Sequence, residues 1–290
     1  MSTHGLEQVK RVQALRYFTW QWRWGQIIKS EQMRFLLRNS RPSDMLRTIW
    51  RPGPLDQDRW SGTTWSVADR WLYVFATRLI WAYAARSDPS ALALEEPELG
   101  DPFPVHFRGR LISQDLANTA LEIDAAARGG GGSPRNIIEV GAGYGRTAYA
   151  LLSLHPEATY TIVDIEPTID VSRWYLTQLF DTDRLTFVQA DQIDQIEDRT
   201  FDLGLSVSSL QEMTPQQVGG YLQLFDRVVD GHVYLKQWEN WHNPVDDTDM
   251  VFENYPFPEA WTRTLWERCA VQTQFMQGVW RTSRERDASA

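Results

Sequence analysis

NIIEVGAGYGRTAYALL, residues 136–152, sets a short apolar run against three glycines spaced by single residues. A run of this kind ending in glycines reads as a strand that turns into a helix. A phosphate-cradling loop needs Gly-x-x-x-x-Gly-Lys-Ser/Thr, and here Arg146-Thr147 follows the last glycine with no lysine. A dinucleotide fold asks for Gly-x-Gly-x-x-Gly, one residue wider than Gly141, Gly143 and Gly145. Glu139, two places before the first glycine, would repel a pyrophosphate and suits a ligand that carries an ammonium group.

Downstream the pattern alternates. TYTIVDI, LTFVQAD, FDLGLSVSSL and HVYLKQW read as strands. Between them TIDVSRWYLTQLF and TPQQVGGYLQLFDRVV read as helices, the second opened by Thr214 and Pro215. Strands separated by helices imply right-handed crossovers and a parallel sheet, a doubly wound α/β fold. The tail ERCAVQTQFMQGVWRTS supplies one or two closing strands.

Two further acids fall at strand ends. Asp164 closes YTIVD, 19 residues after Gly145, where a carboxylate accepts bonds from both hydroxyls of a ribose. Asp191 closes FVQAD on the next strand, where an adenine edge would lie. An ammonium-binding acid, a ribose-binding acid and an adenine-side polar group in this order describe S-adenosylmethionine.

With IIEVGAGYGRTAYALL, YTIVDIEPTIDVSRWYL and FDLGLSVSSLQEMTPQQVGGYLQLFDRVV in view, the chain resembles the class I S-adenosylmethionine-dependent methyltransferases. More narrowly it resembles the sugar O-methyltransferase group. The marks are Gly-Ala-Gly-Tyr-Gly, Asp164 with Pro167, Tyr175-Leu176, and Ser209-Leu210-Gln211-Glu212-Met213. PFPVHFRGRLISQDLANTALEI is similar to the segment that precedes the glycines in that group, and the resemblance covers about residues 100–240. It implies a Rossmann-like seven-stranded sheet whose last strand is reversed, with the cofactor across the strand ends. By position it implies Glu139 at the methionine end, directly or through water, and close backbone approach at Gly141, Gly143 and Gly145. It also implies Asp164 on the ribose, Ile165 packed on adenine, and Asp191 near the adenine amine.

Methyl transfer to a hydroxyl requires alignment of acceptor, methyl and sulfur, and a group that takes the proton. Residues after the fourth and fifth strands face that chemistry. Glu212 and His242 are the candidate bases, with His106 a third; Gln211, Trp238 and Asn240 are candidate acceptor contacts. Tyr144 in the glycine loop either lines the acceptor cavity or packs beneath it. Asp246, Asp247 and Asp249 in NPVDDTDM resemble a magnesium-binding acid cluster only superficially, so no metal is expected.

Upstream of GGGGSP, 129–134, the chain reads as helices. EQVKRVQALRYFTWQW, 66–86 and 110–128 carry apolar residues at helical spacing, and RPGPLDQDRWSGTT is a loop. This divides the chain into a helical, Trp-rich region over 1–128, read as acceptor lid or oligomerisation element, and a catalytic domain over 134–290. Of the 14 tryptophans, eight precede residue 100 (Trp20, Trp22, Trp24, Trp50, Trp60, Trp65, Trp71, Trp81). They read as packing residues first and as an aromatic wall around a ring-shaped substrate second.

Net charge of −9 argues against nucleic acid and anionic lipid as partners. The single cysteine, Cys269, excludes an internal disulfide, and the N-terminus lacks the apolar core of a secretory signal. A cytoplasmic enzyme of specialised metabolism is expected. Its acceptor would be a sugar-like or natural-product hydroxyl, and a homodimer is the candidate assembly. N- or C-methylation of a natural product, and a non-catalytic cofactor-binding regulator, are the alternatives.

Overall fold

The computed structural model describes residues 5, 7–12, 31–50, 67–86, 93–103, 105–243 and 247–282. Trp20, Trp22, Trp24, Trp60, Trp65, the 51–64 loop, the Ser66 cap and most of the first expected helix lie outside these residues. The chain divides into two compact units, Met1–Glu122 and Ile123–Ala290.

Among the described residues of the first unit, 7–12 are helical, followed by helices α1 (Glu31–Asn39), α2 (Pro42–Trp50), α3 (Val67–Ala84) and the start of α4 (Gln114–Arg128). Along α3, Tyr73, Ala76, Leu79, Ile80 and Trp81 are buried, and the Trp81 indole donates to the Ser113 carbonyl at 2.7 Å. Trp81 is thus a packing residue with its polar atom satisfied, whereas Trp71 stacks on Phe75 at the surface. The expected helix over 110–128 starts four residues late. Leu111 and Ile112 instead belong to β2 (Arg110–Ile112), paired with β1 (Val105–Phe107). Arg108 and Gly109 join these strands with φ of 53° and 83°. Positive φ at both loop positions is the turn that suits the twist of a two-residue hairpin.

The second unit is built on a seven-stranded sheet in the order β10-β11-β7-β6-β3-β4-β5. Its strands are β3 (Asn136–Val140), β4 (Thr159–Asp164), β5 (Leu185–Gln189), β6 (Phe201–Val207), β7 (Val229–Trp238), β10 (Trp261–Arg268) and β11 (Phe275–Thr282). Strands β3 to β7 are parallel, and β11 runs antiparallel to both its neighbours, β7 and β10. This is the Rossmann-like methyltransferase sheet, with the reversed last strand that the resemblance implied. Chain order reverses at β3, so the crevice beyond the carboxyl ends of β3, β4 and β6 is where such sheets bind ligands.

Helices α5 (Arg146–Leu154), α6 (Thr168–Thr177) and α7 (Pro215–Val228) supply the crossovers. α7 starts as the sequence indicates: the Thr214 hydroxyl and the Gln217 side chain cap each other's backbone amides, and Pro215 holds the first turn. Its Val218, Leu222, Phe225 and Val228 are fully buried against β3, β6 and β7.

The connection from β7 to β10 differs from the α-helical crossovers. Among its described residues no α-helix lies there; the chain forms a hairpin of β8 (Asn240–Asn243) and β9 (Thr248–Val251), then a 3-10 turn at Phe252–Asn254. An aromatic cluster covers the sheet instead. Phe252 is fully buried among Tyr255, Phe257, Trp266 and Trp280, and Phe257 stacks on Trp280 with centroids 4.5 Å apart. β10, beginning at Trp261, is a strand that the tail reading placed too late.

Candidate functional site

The three glycines separate into different tasks. Each has positive φ. A Cβ on Gly141 would fall 1.9 Å from the Ser209 hydroxyl, and one on Gly145 would fall 2.9 Å from Leu176. These two positions therefore admit close packing of the loop on its own protein. Around Gly143 a Cβ would meet nothing within 4 Å, so this residue faces open space.

Asp164 ends β4 beside that space. Its carboxylate accepts from the Gly143 amide at 3.3 Å and from the Ile165 amide at 2.8 Å. Burial raises its pKa above the ordinary aspartate range, and the two amide donors oppose that rise. Ile165, next in the chain, is 61% exposed. A β-branched apolar side chain left open at a strand end, beside a desolvated carboxylate, is an apolar shelf that a flat ring would cover. Asp191 follows β5 in a 3-10 turn and is exposed. Gln189, paired with Asp164 in the sheet, donates to Glu166 at 2.7 Å.

Glu139 is 1% exposed, and its Oε2 accepts from the Tyr160 phenol at 2.7 Å. Tyr144 packs within the protein. It is buried, edge-on to Tyr175 with centroids 5.3 Å apart.

Beyond β6 the chain turns at Ser208, whose φ is 59°, into the 3-10 turn Leu210–Glu212. Gln211 is not an open acceptor contact. It is buried, and its side-chain carbonyl accepts from the Trp238 amide at 2.8 Å. Its own amide donates to Gln237 at 3.2 Å. These bonds brace the ends of β6 and β7 together. Glu212 presents a side chain to solvent, yet protein crowds its carboxyl. That desolvation, followed by the negative charge of Asp164, raises its pKa. The same aspartate charge reaches Tyr221 on α7 after burial has raised that phenol. Asp164, Glu212 and Tyr221 therefore share one electrostatic neighbourhood.

Trp238 is half-buried, its ring 5.1 Å from Phe275 and 5.4 Å from Trp241. Asn240 is exposed at the start of β8. His242 lies on the same hairpin with Nδ1 2.9 Å from Asp249 and Nε2 3.3 Å from Asp247. Both ring nitrogens face carboxylates that are themselves largely exposed, an arrangement of a surface ion cluster rather than of a base aimed at an acceptor. Asp246 lies outside the described residues. Among the described residues no group of three or more His, Cys, Asp and Glu side chains is arranged to hold a metal ion. His106 belongs to the first unit, exposed on β1, with its carbonyl accepting from Arg78 at 2.9 Å.

The residues missed from sequence are Tyr160, Tyr221 and Asn243. Asn243 is buried and donates to the Met213 carbonyl at 3.2 Å, tying β8 to the turn that carries Glu212. Only Tyr160 left a signal: it alternates with Ile162 and Asp164 onto the face that Glu139 shares.

No family model matches the chain. A release factor glutamine methyltransferase of Rhodopirellula baltica is 36% identical over 69 residues, a match that spans 23% of this chain and 23% of that protein. Among solved structures, the 1,6-didemethyltoxoflavin-N1-methyltransferase of Burkholderia thailandensis, with S-adenosylhomocysteine bound, is 20% identical. It covers 56% of this chain and 76% of its own at a TM-score of 0.42. The geranyl diphosphate C-methyltransferase of Streptomyces coelicolor A3(2), also holding S-adenosylhomocysteine, is 8% identical. It covers 58% of this chain and 80% of its own at a TM-score of 0.46. No helix among the described residues is long and apolar enough to cross a membrane.

Proposed function

We propose that this chain is an S-adenosylmethionine-dependent methyltransferase that acts on a hydroxyl of a small sugar-like or natural-product acceptor. The observation that carries the reading is the meeting of Gly143, Asp164 and Ile165 at adjoining strand ends. Open space lies over a backbone, beside a desolvated carboxylate and an uncovered apolar shelf. The residues fit the nucleoside. Asp164 accepts from the ribose hydroxyls, Ile165 packs on the purine, Asp191 lies at its amine, and Glu139 compensates the ammonium.

When bound, the donor supplies a methyl group already activated by the sulfonium charge. Glu212 takes the proton of the acceptor hydroxyl. Its raised pKa makes it a stronger base than an ordinary glutamate. The Gln211 brace and Asn243 hold the turn that carries it. Trp238 offers a flat apolar face on which a ring of the acceptor stacks.

Calorimetric titration with S-adenosylmethionine tests the proposal: one site per chain is expected, severely weakened in Asp164→Ala. Absence of binding to the wild-type protein overturns it. Incubation of small-molecule fractions with methyl-labelled donor, followed by mass spectrometry, then separates O-methylation from N- or C-methylation.

A further inference from the structure

We propose that Tyr160 is a positioning residue for the amino-acid end of the methyl donor and acts through Glu139. The inference rests on the reading of Glu139 as the acid that meets the donor's ammonium group.

Tyr160 and Glu139 lie on adjacent parallel strands. Ile137 stands opposite Tyr160, and Glu139 opposite Ile162, so phenol and carboxylate share one face of the sheet. Each residue is 1% exposed, and the hydroxyl reaches Oε2 at 2.7 Å. Their sheet partners are apolar on both sides, Ile162 and Leu205 beside Glu139 and Ile137 and Leu185 beside Tyr160, so apolar side chains fill this face readily. An acid and a phenol placed there carry a desolvation cost that packing does not require. What the pair provides is orientation. A carboxylate turns freely about its last bond, and a donor fixed in a dry strand pair holds one oxygen and sets the plane of the other.

The phenol keeps its proton for this task. Burial, then the negative charge of Glu139, drives its pKa well above that of an ordinary tyrosine, with the Arg146 charge opposing. Tyr160 therefore remains a donor throughout the working pH range. Glu139 lies directly before the Gly141–Gly145 loop, so the orientation that Tyr160 sets is passed to the edge where the donor's methionine end lies in this reading.

Tyr160→Phe retains the ring and deletes the hydrogen bond. The test is calorimetric titration of wild type and variant with two ligands, S-adenosylmethionine and 5′-deoxy-5′-methylthioadenosine. The second keeps adenosine and the thioether but has no amino-acid portion. S-adenosylmethionine is expected to bind the variant about tenfold more weakly, the loss typical of a hydrogen bond to a charged group. Methylthioadenosine is expected to bind both proteins equally. Equal weakening of the two ligands, or undiminished S-adenosylmethionine binding, overturns the inference. Failure of either ligand to bind wild type strikes the donor reading itself, a distinct result. Should Tyr160→Phe not fold, Glu139→Gln takes its place. Its amide oxygen still accepts from Tyr160 while the charge is gone, so it tests the reading of Glu139 on which the inference rests: the same ligand-selective loss is expected, and equal loss for both ligands overturns that reading and the inference with it.

Discussion

The Gly143 amide points at the Asp164 carboxylate across 3.3 Å, so the loop after β3 and the acid that ends β4 are one unit. Neither residue explains the site alone. The glycine leaves room above its backbone, and the acid beside it is desolvated enough to gain from any hydroxyl donor that arrives.

Asp164→Asn separates charge from shape. The amide oxygen can still accept from Gly143, but it no longer offers a charged acceptor to a ribose. S-adenosylmethionine affinity is expected to fall by about 10- to 100-fold, the range for losing one or two charge-assisted hydrogen bonds. The pH dependence follows from the raised pKa. The ionised form binds, so wild-type affinity falls as pH drops through that value, at a higher pH than an ordinary aspartate dictates. The asparagine variant should lose this dependence. Calorimetry across a pH series measures both, and a flat wild-type profile with an unaffected variant contradicts the assignment.

Gly143→Ala and Gly141→Ala should fail in different ways. Alanine at 143 meets no neighbour and suffers only the left-handed backbone, a cost of about 1–2 kcal/mol, while its methyl intrudes on the donor space. Alanine at 141 drives into Ser209 as well, and its cost rises to about 3 kcal/mol or more. Urea denaturation should therefore rank 141 as the stability position, and donor titration should rank 143 as the binding position among proteins that fold. Reversal of the two rankings would show that the loop packs differently.

The parts of this site that follow from strand order were legible beforehand. The acid at the end of β4 and the glycines after β3 are fixed by backbone period and topology, which a linear pattern carries; Asp191 lies two residues past the end of β5. Register is not carried in that way: nothing in TYTIVD alone says that Tyr160 stands beside Glu139, because the offset between two strands is a tertiary fact. The same limit hid the fate of Gln211, which looked like an acceptor contact and is a brace. Leu111 and Ile112 were drawn into a helix because apolar spacing in a short strand imitates one turn of α4; Arg108-Gly109 was the turn signal that outweighed it. The aromatic cover between β7 and β10 was not legible for a comparable reason. Aromatic residues spaced along irregular chain have no period, yet they cover the sheet as a helix would.

Glu212→Gln removes the proton acceptor while preserving size. Turnover should fall by about 100-fold or more, the usual contribution of general-base catalysis, with donor affinity within a factor of two of wild type. In wild type the basic form is the active one. Its turnover is therefore expected to decline as pH falls through a value above the ordinary glutamate 4.5, because crowding and the Asp164 charge hold the proton on. Asp164→Asn removes that like charge and should move the acid limb of the residual activity downward. A limb that stays in place when Asp164 is neutralised shows that another group controls it.

Phe252 tests whether the aromatic cluster replaces the absent helix. The ring is fully buried, with Trp266 at 4.9 Å and Tyr255 at 5.2 Å between centroids. Phe252→Ala leaves a cavity among rigid rings that cannot close around it, and a loss of about 3–5 kcal/mol is expected. Phe252→Leu keeps most of the volume and should cost about 1–2 kcal/mol. Because the cluster packs on β10 and β11 and contributes no atom to the Gly143–Asp164 unit, folded Phe252→Leu should bind donor as wild type does. Guanidinium unfolding and donor titration of the same preparations check both halves. Loss of donor affinity in stably folded Phe252→Leu means that the β7-to-β10 connection shapes the donor site as well as the core.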